Sequence, residues 1–285
     1  MDWPNGAGFA AAITFDMDAD SLIHAAGPDG WKNAYAVSMG QYGPHVAIPR
    51  ILETYRRLGM KQSFFIPGWC VQTYPKAVEA ILEGGHEIGC HGWIHENPAN
   101  RSADQQAEDL DKAIEALAAF SGYRPRGYRA PVYQITNDLP GLLLDRGFTY
   151  DSSMMADDDP YALDVSGRKL IEIPPHWGID DWPPFAHYEE IGYMMPVRGP
   201  SEGLAPFFEE FVAAKKDGGL WHAVWHPFLT GRRARWQVVE EWLETALTEG
   251  AWFATLGEIA DHSAKLDAEG GLRVLPFPAY EGPQT

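Results

Sequence analysis

The chain has 285 residues, 45% of them apolar, and a formal net charge of −18. That length suits one α/β domain and the apolar share supplies a sizeable core, while the lack of low-complexity runs and of internal repeats sets aside disordered and solenoid classes. The acidic balance excludes nucleic acid as a partner, because binding phosphates needs a basic surface.

The opening stretch "MDWPNGAGFAAAITFD" has no basic region, and its apolar run passes straight into acids. It reads as a strand and not as an export signal, so a cytoplasmic location is expected. No segment approaches the ~20 continuous apolar residues of a membrane span. Two cysteines, Cys70 and Cys90, are too few for a disulfide framework and are expected to be reduced, buried thiols.

The elements alternate in chain order. "FAAAITF" (Phe9 to Phe15) is a short apolar strand, and "HVAIPRILETYRRLG" (His45 to Gly59) has helical spacing with a glycine stop. "QSFFIP" is strand-like, "YPKAVEAILEGG" helical and "HEIGC" strand-like. "SADQQAEDLDKAIEALAAFSG" is a strong helix that Ser102 can cap and Gly122 can end. Then come "RGYRAP" as strand, "TNDLPGLLLDRG" as helix, and "FTYDSS" and "KLIEIPP" as strands. "LAPFFEEFVAAKKDGG" (helix), "LWHAVWHP" (strand), "ARWQVVEEWLETALTEG" (helix), "AWFATL" (strand) and "GEIADHSAK" (helix) complete the chain. This rhythm predicts an α/β fold: one irregular barrel over residues 1–285 with seven or eight mostly parallel strands, an open doubly wound sheet being the competitor. The segment 156–200, rich in Pro, Asp and Trp ("WGIDDWPPF"), is expected to be a loop excursion over one end of the sheet.

In parallel α/β folds, active sites sit at the C-terminal ends of strands. Here the first strand runs into Asp16, Asp18 and Asp20, "HEIGC" into His91, His95 and Glu96, and "RGY" into Arg129 and Tyr133. "FTYDSS" supplies Asp151, and "LWHAVWHP" supplies His222 and His226. The opposite strand ends carry turn residues such as Gly59, Gly84 and Gly122. Taken singly, each feature has a plain reading: solvated acids, surface histidines on one helical face (His91 and His95, at i and i+4), satisfied core histidines, a surface arginine. Their convergence on one edge points to a site. Two histidines and an aspartate are a common ligand set for a divalent ion, most often zinc, that keeps positions open. A second carboxylate then suits a general base, with an imidazole as general acid and an arginine to keep the base ionised.

"TFDMD", "HGWIHE", "RAPVY" and "VWHP", in this order over about Phe9 to His262, resemble the polysaccharide deacetylase family (NodB-homology domains, carbohydrate esterase family 4). The resemblance implies a distorted (β/α) barrel that hydrolyses amide bonds. It implies Asp16 as catalytic base, Asp18, His91 and His95 as metal ligands, Arg129 as the partner of Asp16, and His226 as general acid. It further implies a backbone N–H near Tyr133 as oxyanion donor and Val224 in place of an acyl-pocket leucine. Asp151 matches the acid of the fourth family motif without its tryptophan, a role that Trp177 or Trp182 would take over from the excursion. The literal Leu-x-His pattern falls on His222, but "HPFLTGR" after His226 matches one subgroup's context. "YGPHVAIPRILE", "FFIPGWCVQTYP" and "HGWIHENP" are most similar to the intracellular branch, which includes peptidoglycan-deacetylase-like, allantoinase-like and cyclic imide hydrolases and often forms tetramers.

The expectation is therefore a metal-dependent hydrolase of a non-peptide C–N bond, with a small cyclic imide, ureide or amide preferred and an acetylated amino sugar or peptidoglycan as the alternative. A non-catalytic ligand-binding barrel is the minor alternative. Expected partners are a small molecule and further copies of the chain, with no nucleic acid and no membrane. Asp20, His24 and His45 stay without a role at this stage.

Overall fold

The computed structural model describes residues 1–27, 29–189 and 192–278, with Trp31 described by its backbone alone; parts of the expected 1–285 domain and 156–200 excursion lie outside the described residues. All eight expected strands are present: β1 (Phe9–Asp16), β2 (Ser63–Ile66), β3 (Glu87–Cys90), β4 (Gly127–Tyr128), β5 (Tyr150–Asp151), β7 (Arg168–Glu172), β8 (Leu220–Trp225) and β9 (Ala251–Phe253). Two more, β6 (Tyr161–Val165) and β10 (Val274–Phe277), raise the count to ten. β6 falls inside the stretch expected to be loop. It pairs antiparallel with β7 across Ser166-Gly167, both at positive φ (54° and 81°), as a two-residue hairpin turn requires. The Ser-Gly pair was the signal for it.

The strand path runs β10-β6-β7-β5-β4-β3-β2-β1-β8, and β9 adds to β1 at Phe9–Ala11. Every other pairing is parallel. The path ends at β8 and β10 without a closing pair, which is an α/β fold of the distorted-barrel kind.

Helices α1 (Ser21–Ala25), α2 (Ala34–Tyr42), α3 (Ile48–Leu58), α4 (Gly68–Thr73), α5 (Pro75–Glu83), α6 (Ala103–Ser121), α7 (Leu139–Asp145), α8 (Trp182–Phe185), α9 (Pro200–Asp217), α10 (Arg233–Ala246) and α11 (Leu256–Ala268) surround it. α1, α2, α4 and α8 were not expected, being short or, for α2, continued into α3 by a π-helical stretch Gly43–Ala47; α8 lies in the segment expected to be loop. α6 carries the full capping box, Ser102 with Gln105, and ends at Gly122 with φ 81°. No helix among the described residues is long and apolar enough to cross a membrane. Cys70 and Cys90 are both buried and free.

Strand alternation divides the core in two. From β1, Phe9, Ala11, Ile13 and Phe15 join the large cluster under the helices, whereas Ala10 and Ala12 join a smaller one with Phe65, Tyr150 and Ile171 inside the sheet. Thr14 and Asp16 continue that inner stripe, so β1 passes from apolar to polar toward its C-terminal end. Room inside depends on small residues. A Cβ on Gly127 would lie 1.9 Å from the Tyr150 ring, whose hydroxyl donates to Glu87 (2.9 Å).

Ser102→Ala is expected to lower stability by about 1 kcal/mol through loss of one cap. Gly127→Ala is expected to cost about 3 kcal/mol or more, because the ring of Tyr150 has to leave its place. Urea denaturation midpoints of the two variants test that ordering.

Candidate active site

β1 ends at Asp16, and the Met17 N–H donates to the Phe65 carbonyl (2.9 Å), which keeps the chain running beside β2 as far as Asp18. Ala19 then turns away at φ 52°. Asp16 and Asp18 thus share one cavity, and both are almost fully buried.

His91 and His95 do not share a helix, as their spacing led us to expect. The "HGWIHE" segment is a turn with Gly92 at φ 72° and His95 at φ 63°. Glu96 closes it by accepting from the N–H groups of Trp93 (2.9 Å) and Ile94 (2.7 Å). His91 Nδ1 donates to the Arg129 carbonyl (2.7 Å), an assignment forced because a carbonyl only accepts. Its Nε2 lone pair therefore faces Asp18 at 3.4 Å, and His95 Nε2 lies 3.4 Å from the other Asp18 oxygen.

Asp18 is the anomaly. Its side chain is fully buried, yet neither carboxylate oxygen accepts a hydrogen bond among the described residues. A buried anion left this way is costly unless a cation answers it. Asp18, His91 and His95 each offer one ligand atom within 4.8 Å of the others, so the donor set fits a divalent metal.

Arg129 is completely buried and spends all five N–H donors. Nη1 donates to Asp16 (2.7 Å) and Thr14 (2.8 Å), Nε to the Ser152 carbonyl (3.0 Å), and Nη2 to the Ser152 hydroxyl (2.8 Å) and His222 Nε2 (3.0 Å). Burial alone would raise the Asp16 pKa, but the charges of Arg129, His91 and His226 outweigh it and hold that carboxyl below its usual range. His222 accepts at Nε2, so its Nδ1 donates to the Pro174 carbonyl (3.2 Å). Burial first, then the Arg129 charge, keep this imidazole neutral. His222 belongs to the arginine's cradle and does not line the cavity.

Across the cavity, His226 Nε2 lies 3.5 Å from Asp18, while Nδ1 bonds to Asp181 (2.6 Å). The N–H groups of His226 and Thr230 donate to the same carboxylate. Burial opposes the charge on His226, but Asp181 overcomes it, aided by Asp180 and Asp18, and lifts the pKa to about 10. Asp151, which the sequence matched to the fourth family motif without assigning it a role, lies between β5 and β7 beside Glu172 (register pair Asp151↔Glu172) and outside the cavity lining, and Asp181 from the excursion holds His226. Asp180 pairs with Val224 as an isolated bridge, which brings the excursion alongside β8. The pair of acids in "WGIDDWPPF" was the only sequence signal for either.

The cavity holds about 280 Å³. Asp16, Asp18, His91, His95 and His226 line it, and Tyr133, Trp177 and Trp182 wall it with Leu22, Val132 and Asp180, which the sequence reading missed. Val224 is fully buried and not among the lining residues. The Tyr133 hydroxyl donates to Asp180 and its N–H to the Ala130 carbonyl (2.9 Å). The neighbouring Val132 N–H makes no hydrogen bond among the described residues, and Val132 sits at φ 51°, unusual for a β-branched residue. Asp20 is bound by His24 (3.1 Å) and Tyr74, with the His45 ring edge-on to Tyr74, outside the cavity lining.

The sequence profile for polysaccharide deacetylases matches residues 33–150. The peptidoglycan deacetylase of Helicobacter pylori is 27% identical over 89% of this chain and 96% of its own length. A crystal structure from Mycobacterium smegmatis, assigned provisionally as a polysaccharide deacetylase, superposes with a TM-score of 0.92 at 31% identity, covering 100% of this chain and 98% of that one. The chain belongs to the polysaccharide deacetylase family. A structure of the allantoinase PuuE shares the fold at a TM-score of 0.79 and 21% identity, over 94% of this chain and 93% of that one.

Behind the site, the deacetylase-family chain buries two adjoining carboxyls. Glu172 accepts from the N–H groups of Ser153 (2.8 Å) and Met154 (3.0 Å), and Asp151 accepts from the Ser153 hydroxyl (2.8 Å). One oxygen of each is left without a hydrogen-bond partner, as expected if the pair keeps a proton. Burial lifts Asp151 to about 6, and burial together with the Asp151 charge lifts Glu172 well above its usual range. The folded chain therefore binds this proton more tightly than the unfolded chain does. Its stabilisation is full at low pH and is lost as pH rises from the ordinary carboxylate range through about 6 and beyond. Glu172→Gln should flatten the fall of Tm across that window and be more stable than the parent at alkaline pH. Thermal melts over a pH series test this, and an unchanged slope would refute the shared proton.

Proposed function

We propose that this chain is a metal-dependent hydrolase that opens the C–N bond of a small cyclic imide, ureide or amide. The observation that carries the reading is the unpaired, buried Asp18 carboxylate facing three imidazole nitrogens at the floor of a small cavity.

Asp18, His91 and His95 would hold the metal. A divalent ion there, zinc by the match of its donor set, would polarise the scissile carbonyl and acidify water. Asp16, kept ionised by Arg129, stands ready to accept the proton of the attacking water. The Val132 N–H would meet the developing oxyanion. His226, protonated and oriented by Asp181, would deliver a proton to the departing nitrogen. Two groups with pKa values driven apart are the pattern of paired base and acid.

The preference for a small ring rests on the size and lining of the cavity. Trp177 and Trp182 from the excursion line it, and it holds about 280 Å³ with mostly apolar walls. N-deacetylation of an amino sugar is the second reading, favoured by the relative in Helicobacter pylori being named a peptidoglycan deacetylase. The presence of both Asp16 and His226 argues against a barrel that only binds. The same reading includes a homo-oligomeric state and a cytoplasmic location.

Proton NMR of zinc-loaded protein incubated with cyclic imides, ureides or N-acetylglucosamine oligomers separates the first two readings. Ring-opened product without acetate supports the first, and free acetate the second. Asp16→Asn is expected to keep metal affinity in a chelator competition while losing ~10²–10⁴-fold in turnover. Undiminished turnover in that variant would remove Asp16 from the role of base.

A further inference from the structure

Nine of the fourteen arginines are paired with a carboxylate. Of the five with no such partner among the described residues, Arg232, Arg233 and Arg235 stand together at the start of α10, and a fourth, Arg50, donates to the adjacent Gly231 carbonyl (2.6 Å). This concentration of positive charge without an ion pair among the described residues occurs in a chain of net charge −18.

Arg232 and Arg235 are half-buried and held in place. Arg232 lies over the Tyr42 ring (3.7 Å) and donates to the Phe228 carbonyl (3.2 Å). Arg235 lies over the Phe185 ring (4.0 Å) and donates to the Leu229 carbonyl (2.8 Å). Both line a groove of about 400 Å³, separate from the reaction cavity, whose other walls include Phe185, Val197, Phe228 and Tyr35. Arg198 is at its rim, paired outward with Glu202 (2.7 Å). No side chain caps α10, and its first turn has no acid, so the field of the helix start adds to that of the guanidiniums. Burial holds the Arg235 pKa below its usual range; the Asp181 carboxylate opposes this and the Arg232 charge adds to it. Fixed, planar guanidinium forks beside apolar walls match a carboxylate attached to an apolar body.

We propose that this groove is a second ligand site, which binds an organic carboxylate between Arg232 and Arg235 with its apolar body against Phe185, Val197 and Phe228. The site adjoins the lid of the reaction cavity. Phe185 is the last residue of α8, Trp182 is the first, and Phe228 packs edge-on against Trp182 at 6.2 Å. A ligand in the groove therefore presses on the element that carries one wall of the cavity.

Calorimetric titration of the full chain with benzoate, and separately with inorganic phosphate, tests the assignment. Saturable benzoate binding is expected, weakened about tenfold or more in both Arg232→Gln and Arg235→Lys, since lysine keeps the charge but loses the fork. Arg124→Gln, an unpaired arginine elsewhere, should bind as the parent does. Equal benzoate affinity in all four proteins, or no saturable binding in the parent, would overturn the proposal. So would phosphate binding as tight as benzoate, which would mean charge alone. Light scattering on the same samples supplies one more outcome: an oligomer that dissociates in Arg232→Gln, with no benzoate binding in the parent, would show these arginines to be answered by acids of a second copy.

Discussion

The buried guanidinium of Arg129 is the constraint on which the site depends. Its five donors reach Thr14 and Asp16 on β1, Ser152 after β5, and His222 on β8, while its own backbone carbonyl fixes the His91 ring after β3. One residue, through its side chain and its carbonyl, therefore ties together groups on or just after four strands. It also lies over the Phe65 ring (4.2 Å), at the boundary between apolar interior and polar rim. A buried cation of this kind is tolerated only because nothing on it is left unpaired; breaking such a pair commonly costs about 3–5 kcal/mol. The arrangement keeps the Asp16 carboxylate ionised and fixed in place.

The opposite side of the cavity is built differently. His226 follows directly after β8, but the acid that orients it, the aromatic wall and the partner of Tyr133 all come from the excursion. That segment is anchored by the bridge from Asp180 to Val224 and by Asp181, which accepts from His226 and Thr230. Asp16 and His226 are thus held by separate parts of the chain, the first by the strand scaffold and the second by an added segment. Chemistry common to the family can stay constant on one side while the other side adjusts the shape of the substrate space.

Both short polar networks show the same economy in the use of histidine. His91, His222 and His226 are all buried, yet their surroundings assign them different forms. His91 and His222 donate from Nδ1 to backbone carbonyls and are held toward the neutral form by burial, whereas the Asp181 carboxylate lifts His226 to about 10. The Nδ1 partner, carbonyl or carboxylate, decides which imidazole presents a lone pair and which presents a proton.

Strand order and the polar edge were legible in the amino-acid sequence, because strand length, apolar runs and terminal acids are local properties. The eight expected strands, the capped α6 and the cluster of Asp16, Asp18, His91, His95, Arg129 and His226 followed from such signals. The β6–β7 hairpin was missed because its turn signal is two residues long and lay in a stretch whose composition read as loop. The helical face assumed for His91 and His95 was wrong because Gly92 and the Glu96 carboxylate stabilise a turn that spacing alone cannot reveal. The positions of Asp181 and Asp180 and the part of the cavity wall formed by Trp177 and Trp182 were decided by tertiary structure. These residues come from a segment with no periodicity, and their roles exist only where its backbone meets the end of β8. By itself, the sequence determined which groups could do chemistry and at which sheet edge. Only long-range packing, which brings residues far apart in the chain within hydrogen-bonding distance, decided which acid serves which histidine and how much room is left between them.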